Sequence, residues 1–521
     1  MKIDLFDTTL RDGAQGAGIS FSIEDKIKII ELLDDFGIDY IEAGNPGANP
    51  KDIELFKRAS RLNLKHAKLV AFGSTCRAGI KASEDDGLRQ IIESGAEHIV
   101  IFGKSWLLHV EQVIKTSADE NLRMIRDSIK FLREHNKRVF FDAEHFFDGY
   151  LDNKDYALQV LRTASEADAE LLILCDTNGG TMPAQAGGIV RQVCENINFR
   201  FGIHCHNDTG LAVAATLEAV KNGASHVQGT INGLGERCGN ADLCAVIANL
   251  QLKLNYECVP PGKLKNLTGL ARLIAEISNI SFSENAPFVG GHAFTHKAGM
   301  HIDAVNKLPI SFEHISPDSV GNSRSTLVSE ISGRSALLNR MRLFAPGISK
   351  SSRELAQVLE LVKSRESDGY QFENAEGSLD LIILESLNRR RDFFALEEVK
   401  INFAEPLKAE KALAQVKVNV DGRAEMGEAQ GDGPVNALDI ALREALIRFY
   451  PEIAGMKLTD YKVRVLNSNA ATAAKVRVFI ESSDNSRVWR TVGVSTDIIE
   501  ASFLALLDSV EYKLSLDAGL L

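Results

Sequence analysis

A chain of 521 residues with 59 basic and 71 acidic side chains carries a formal net charge of −12; it lacks the basic stripe that binding a phosphate backbone requires, so nucleic acid is not an expected partner. Hydrophobic residues at 45% and charged residues at 25% match an ordinary globular protein. No apolar run approaches the roughly 20 residues that span a bilayer, and acids occupy the N-terminal MKIDLFDTTLRDG where a signal peptide would carry its apolar core, so no membrane association and a cytoplasmic location are expected.

Short β-branched runs alternate with amphipathic stretches from the N-terminus, the pattern of repeated βα units around a parallel sheet. Eight strands are predicted: IDLF from Ile3, YIEAG from Tyr40, KLVAFG from Lys68, HIVIFG from His98, RVFFDAEH from Arg138, LLILCDT from Leu171, FGIHCHND from Phe201 and HVQGTING from His226. Helical patterns such as IEDKIKIIELLDDFG, from Ile23, lie between them. Eight such units ending near Leu254, with no GxGxxG after the first strand, predict an α/β fold closed as a (β/α)8 barrel over residues 1–258 rather than an open doubly wound sheet. Catalytic groups should then sit at the carboxyl ends of the strands.

From residue 259 to 398 the pattern is mainly helical and polar, broken by SENAP and FAPGISKSS, and reads as helical linker subdomains that include THKAGMHIDAVNK. From residue 399 to 521 strands followed by a helix occur twice: AQVKVNV, the turn GDGP and NALDIALREALIRFY, then YKVRVLN, AAKVRVFIES and IIEASFLALLDSVEYKL. This predicts a duplicated α+β module that is regulatory or dimer-forming, since it lacks clustered titratable residues.

At the end of the seventh strand HCHND places His204 and His206 two residues apart, hence on one face of the strand, where both can enter the barrel mouth as metal ligands. DTTLRDG follows the first strand. In a closed barrel that strand neighbours the eighth and the seventh lies one further on, so Asp12 can complete a site of one carboxylate and two histidines. Arg11 cannot deprotonate and offers a fork of donors suited to an oxyanion. GLGERCGN after the eighth strand adds Asn240, whose amide oxygen suits a hard cation, although the segment also reads as an ordinary turn and helix cap. Glu144 and Thr177 end the fifth and sixth strands, where either can equally be a satisfied core polar residue.

Cys205 should point away from its histidine neighbours, and the seven scattered cysteines form no CxxC pair, which argues against a disulfide framework or zinc knuckle. The mixed N/O donor set leaves Mg²⁺, Mn²⁺, Co²⁺ and Zn²⁺ open. A divalent cation beside an arginine suits chelation of a 2-oxo acid and polarisation of its keto group.

DTTLRDG, HCHND, GLGERCGN and the later GMHIDAVNK together resemble the 2-isopropylmalate, homocitrate and citramalate synthases. FGKSW, FDAEHFFDGY, LVSEISGRS and TVGVS are most similar to the citramalate branch. The resemblance implies a TIM barrel, helical linker subdomains and a C-terminal effector-binding domain, in a homodimeric acyltransferase. Its reaction would be a Claisen-type condensation of acetyl-CoA with pyruvate to (R)-citramalate and CoA, on a threonine-independent route to isoleucine, with isoleucine as effector.

It implies that Asp12, His204 and His206 bind the divalent metal, Mg²⁺ or Mn²⁺ foremost, with Asn240 completing or buttressing the site. Arg11 would bind the keto oxygen, Thr177 the substrate carboxylate, Glu144 would orient the machinery, and His301 would help remove the acetyl methyl proton. Phe312 stands where these synthases usually carry Tyr, and His314 is nearby; Asn45 replaces a residue that is commonly Trp in the citramalate branch. Two rivals are another 2-oxo acid, as in 2-isopropylmalate or homocitrate synthesis, and carbon–carbon cleavage as in hydroxymethylglutaryl-CoA lyase, whose resemblance ends near the barrel.

Overall fold

The computed structural model describes residues 1–297, 299–326, 333–402, 412–466, 474–484 and 487–521. They fall into two compact units, Met1–Phe294 with Ile315–Arg324, and Thr295–His314 with Ser325–Leu521.

In the first unit every predicted strand forms: β1 (Asp4–Asp7), β2 (Tyr40–Gly44), β3 (Lys68–Ser74), β4 (His98–Lys104), β5 (Arg138–Glu144), β6 (Leu171–Asp176), β7 (Phe201–Cys205) and β8 (His226–Gly229). The helices between them are α1 (Ile23–Phe36), α2 (Pro50–Ala59), α3 (Asp86–Glu93), α4 (Ala118–Glu134), α5 (Phe146–Asp152), α6 (Lys154–Glu166), α7 (Pro183–Asn196) and α8 (Ala212–Lys221). After β8 come α9 (Leu243–Leu252) and α10 (Leu267–Ile277). The strands form a closed barrel in chain order, with β1 pairing in parallel with β8, Asp4 opposite His226 and Asp7 opposite Gly229.

Local chemistry starts and stops these elements. Ser22 accepts from the Asp25 amide at 3.1 Å while the Asp25 carboxylate accepts from the Ser22 amide at 2.9 Å, a capping box that fixes the start of α1. The helix ends at Gly37, where φ is 101° and a Cβ would lie 2.3 Å from the Pro260 ring.

Strand side chains alternate between two faces, and the apolar ones divide accordingly. Phe6, Tyr40, Val70, Phe140, Ile173 and their neighbours pack inside the barrel. Leu5, Ile41, Ile99, Phe141, Leu172, Ile203 and Cys205 face the helices in a much larger layer. The inner apolar plug closes the barrel below its mouth, so polar residues further along the same inward faces project into the space above it.

The second unit begins with β9 (Thr295–His296), α11 (Gly299–Lys307) and β10 (Ser325–Thr326), the two strands pairing in parallel. Three helices follow: α12 (Gly333–Phe344), α13 (Arg353–Ser367) and α14 (Glu376–Ser386). Residues 327–332 of LVSEISGRS lie outside the described residues.

The expected duplication takes the form of two three-stranded antiparallel sheets, each followed by a helix. The first comprises β11 (Ala395–Asn402), β12 (Ala412–Val420) and β13 (Arg423–Gly431), then α15 (Pro434–Leu446). The second comprises β14 (Lys457–Val465), β15 (Val476–Ser483) and β16 (Val488–Ser495), then α16 (Ile498–Asp517). Leu337, Leu355, Val358, Leu379 and Ile383 of α12–α14 share a core with Val492 of β16, so the helical stretch is continuous with the second sheet. Among the described residues no helix is long and apolar enough to cross a membrane.

Each helix lies close on its sheet through a glycine. A Cβ on Gly427 of β13 would fall 2.0 Å from the Ala441 carbonyl oxygen of α15, and one on Gly493 of β16 would fall 2.0 Å from the Ala501 carbonyl oxygen of α16. Backbone cannot yield as a flexible side chain does. Gly493→Ala is therefore expected to destabilise the second unit by about 1–3 kcal/mol, lowering its Tm by roughly 2–10 °C in calorimetry. Gly455→Ala, which meets nothing within 4 Å, should leave the Tm unchanged and serves as the control.

Candidate active site at the barrel mouth

Arg11, Asp12, Glu144, Thr177, His204 and His206 line one cavity of about 240 Å³ above the apolar plug. The strand alternation explains the convergence: His204 and His206 share the inward face of β7, and Asp12 comes from the loop after β1, two strands away through β8. Asp12 Oδ2 lies 3.5 Å from His204 Nε2 and 3.8 Å from His206 Nε2. The three ligand atoms lie within 4.8 Å of one another, and all three residues are buried.

Hydrogen bonding assigns the His204 tautomer. Gln228 on β8 donates from Nε2 to Asp142 Oδ1 at 3.3 Å, so its Oε1 accepts from His204 Nδ1 at 2.9 Å. The Nε2 lone pair of His204 is thereby turned toward Asp12. Burial, and His206 beside it, push His204 down to about 4, and burial also lowers His206, so both rings are neutral near pH 7 and able to ligate. Burial opposes ionisation of Asp12, but the Arg11 guanidinium and the two imidazoles outweigh it and hold the carboxyl below its ordinary range.

Two more oxygens favour a cation. Asp12 Oδ1 and Asn240 Oδ1 are buried without a hydrogen-bond partner, and buried acceptors are rarely left so. Asn240 is held beside the pair by a backbone bridge to His206, and its Nδ2 donates to the Leu234 carbonyl at 3.1 Å, which leaves Oδ1 as the open atom. The donor set of one carboxylate, two imidazoles and one amide oxygen fits a divalent metal. Cys205 is packed in the outer layer as expected, and the Cys175 thiol, which reaches the cavity, is pushed well above its usual range by burial and offers no thiolate.

Arg11 is clamped on three sides. Nε donates to Glu42 Oε2 at 2.6 Å, Nη1 lies 3.3 Å from Asp12 Oδ2, and the guanidinium carbon sits 3.9 Å from the centroid of the Phe72 ring. Glu144 pairs with Lys104, and Thr177 Oγ1 accepts from the His145 amide at 2.8 Å. The mouth also holds Arg237, which pairs with Asp208 at 2.8 Å and donates to the Thr177 carbonyl.

Glu42, Asp142, Gln228, Lys104 and Arg237 were not assigned roles from sequence. A signal existed for two of them: in YIEAG and HVQGTING, Glu42 and Gln228 have the inward parity of Tyr40 and His226 within otherwise buried strands. Asn45 does not line this cavity; its amide donates to Asp52 at 2.9 Å in the loop after β2. His301 belongs to the second unit, exposed on α11, with its ring stacked on Phe312 at a centroid distance of 4.3 Å and an interplanar angle of 30°.

A family profile described as HMGL-like matches residues 2–274, and the (R)-citramalate synthase of Aquifex aeolicus is 48% identical over 99% of this chain and 98% of its own length. The chain belongs to the citramalate synthase family. The (R)-citramalate synthase of a Synechocystis species is likewise 48% identical, over 98% of this chain and 96% of its own. A 2-isopropylmalate synthase of Streptococcus gallolyticus is 29% identical over 99% of this chain and 97% of its own. Two further profiles match later segments, one described as homocitrate synthase post-HMGL domain-like at residues 288–369 and one as the LeuA allosteric (dimerisation) domain at residues 373–514.

Gln228→Leu removes the acceptor that orients His204. Metal affinity, titrated directly on the purified chain, is expected to fall by about 10–100-fold, and Asp12→Asn is expected to weaken it further. Wild-type affinity in both variants would contradict the ligand assignment.

Proposed function

We propose that this chain condenses acetyl-CoA with pyruvate and, with consumption of one water, gives (R)-citramalate and free CoA. One observation carries the reading: the metal-ligand cluster at the barrel mouth is flanked by a clamped arginine, in a chain similar over nearly its whole length to (R)-citramalate synthases. Asp12, His204 and His206, supported by Asn240, would hold the divalent ion, with Mg²⁺ or Mn²⁺ favoured by the oxygen donors. When bound, that ion supplies Lewis-acid polarisation of a 2-oxo acid.

The remaining work falls to side chains. Thr177 holds the substrate carboxylate through its hydroxyl, since the His145 amide already donates to Oγ1 and leaves the hydroxyl proton for a ligand. Arg11 donates to the keto oxygen and to the alkoxide that replaces it; its fixed position means that little reorganisation accompanies charge build-up. Glu144 keeps the mouth ordered through its pairing with Lys104. His301 takes the proton from the acetyl methyl group, the carbanion equivalent so formed attacks the keto carbon, and water then hydrolyses the thioester of the condensed product, breaking the C–S bond and releasing CoA as the thiol. Phe312 has no phenol to relay that proton and acts instead by stacking on the His301 ring. The LeuA-type module makes the protein a homodimer and binds isoleucine as a feedback effector, and the enzyme works in the cytoplasm.

Pyruvate is favoured over larger 2-oxo acids by the stacked rings of Phe72 and Phe102, 5.5 Å apart and 16° from parallel, which wall the same cavity. Thiol release from acetyl-CoA in the presence of Mg²⁺ or Mn²⁺ should be fastest with pyruvate and should cease on chelation. Faster turnover with 2-oxoisovalerate or 2-oxoglutarate would overturn the substrate assignment. Phe102→Ala removes one ring of the wall and is expected to raise kcat/KM for 2-oxobutyrate relative to pyruvate by about tenfold or more, read in the same assay.

A further inference from the structure

The segments that follow β4, β5 and β6 meet in a cluster behind Glu144 and Thr177, with His145 at its centre. His145 is 7% exposed and does not line the cavity. Its backbone, at φ 55° and ψ 37°, lies in the left-handed region that a residue with a Cβ enters only against steric opposition. The paired register of β5 and β6 ends at Ala143 and Leu174. Beyond it the left-handed turn carries the His145 amide out of the ladder, and that amide donates to Thr177 Oγ1 at 2.8 Å instead of to a main-chain carbonyl.

The side chain shows what holds the turn. Its Nδ1 donates to Asp148 Oδ2 at 3.2 Å, and the same oxygen accepts from Asn178 Nδ2 at 3.0 Å. Thr177 and Asn178 are thus tied to this turn twice, once by a main-chain amide and once through a carboxylate. The His109 ring lies against that of His145 at a centroid distance of 4.1 Å, and is itself stacked on Trp106 at 5.3 Å and 17°. α5 has no freedom to slide beneath the cluster. Trp106 Nε1 donates to Asp152 Oδ2 at 3.0 Å, and a Cβ on Gly149 would fall 2.3 Å from the Ser105 carbonyl oxygen.

From this geometry we propose that His145 is a positioning residue for the substrate carboxylate, acting through Thr177: its turn supplies the amide that fixes Oγ1, and its imidazole, held by Asp148 and His109, keeps the turn in place. A hydroxyl that accepts from a fixed amide has its remaining proton directed away from that amide and free for a ligand. Without the amide the hydroxyl samples other rotamers, and binding must first restrict it. The inference rests on the substrate role given to Thr177 above. A histidine that merely filled space would change the stability of the barrel without singling out pyruvate.

The test follows thiol release from acetyl-CoA with Mg²⁺ while pyruvate is varied, alongside direct metal titration and the Tm of each full-length variant. His145→Val places a β-branched residue in the left-handed turn. It is expected to raise the KM for pyruvate by about tenfold, with kcat and metal affinity changed far less. His145→Asn, which tolerates that conformation and can donate to Asp148, should recover most of the loss. Thr177→Val provides the reference, and the double variant His145→Val with Thr177→Val should have a KM no higher than Thr177→Val alone, because both changes remove one contact. Asp148 is 30% exposed, so Asp148→Ala is not expected to disturb folding; it should move KM in the same direction, and carries the test if His145→Val does not fold.

A raised KM in Thr177→Val with wild-type KM in both His145→Val and Asp148→Ala overturns the inference and leaves the role of Thr177 standing. An effect of His145→Val that adds in full to that of Thr177→Val overturns it in the same way, since His145 then acts by another route. A wild-type KM in Thr177→Val overturns the carboxylate role itself, and the inference with it.

Discussion

Arg11 is a cation that cannot shed its proton, set among groups with little access to water, and the barrel mouth is organised around its neutralisation. Glu42 lies fully buried beneath it, Asp12 beside it and the Phe72 ring against its face. Removing one partner from such a cluster leaves an uncompensated buried charge, at a cost of about 3–5 kcal/mol. The same field that makes Arg11 tolerable keeps Asp12 ionised despite burial, and an ionised Asp12 makes the adjoining imidazoles useful as ligands. Charge balance, metal affinity and oxyanion stabilisation are therefore one arrangement seen from three sides.

Closure of the barrel makes that arrangement attainable. Asp12 and His204 are far apart along the chain, yet the pairing of β1 with β8 and of β8 with β7 brings their loops together without a long connection. The apolar plug formed by Phe6, Tyr40, Phe140 and Ile173 sets the floor of the site and keeps water from entering from below. The outer layer against the helices holds each strand at its depth, and so holds each ligand at its height above the plug.

The second unit follows a different logic. Two sheets, each paired with a helix through a close glycine contact, build its core, and the described residues of this unit hold no cluster of metal-ligating side chains like that at the barrel mouth. The helices α11–α14 build a core of their own that Val492 of β16 joins.

Alternation within each strand and the motif at its end are local properties, and both were legible in the sequence: all eight barrel strands, the paired inward direction of His204 and His206, the outward packing of Cys205, and the nearness of Asp12 that follows from closure. The duplication at the C-terminus was legible too, through its repeated strand and helix pattern, though three of its six strands, Ala395–Asn402, Arg423–Gly431 and Val488–Ser495, were not. What tertiary structure alone decided are the partnerships across elements. Glu42 beneath Arg11, Gln228 behind His204, the remoteness of Asn45 from the cavity and the stacking of Phe312 on His301 each depend on register and on the angle at which one element crosses another. A strand's pattern says which face a side chain takes; only the packed neighbours determine what it meets there, because a hydrogen bond or an ion pair requires a partner within a few ångströms whose place is set by residues far away in the chain.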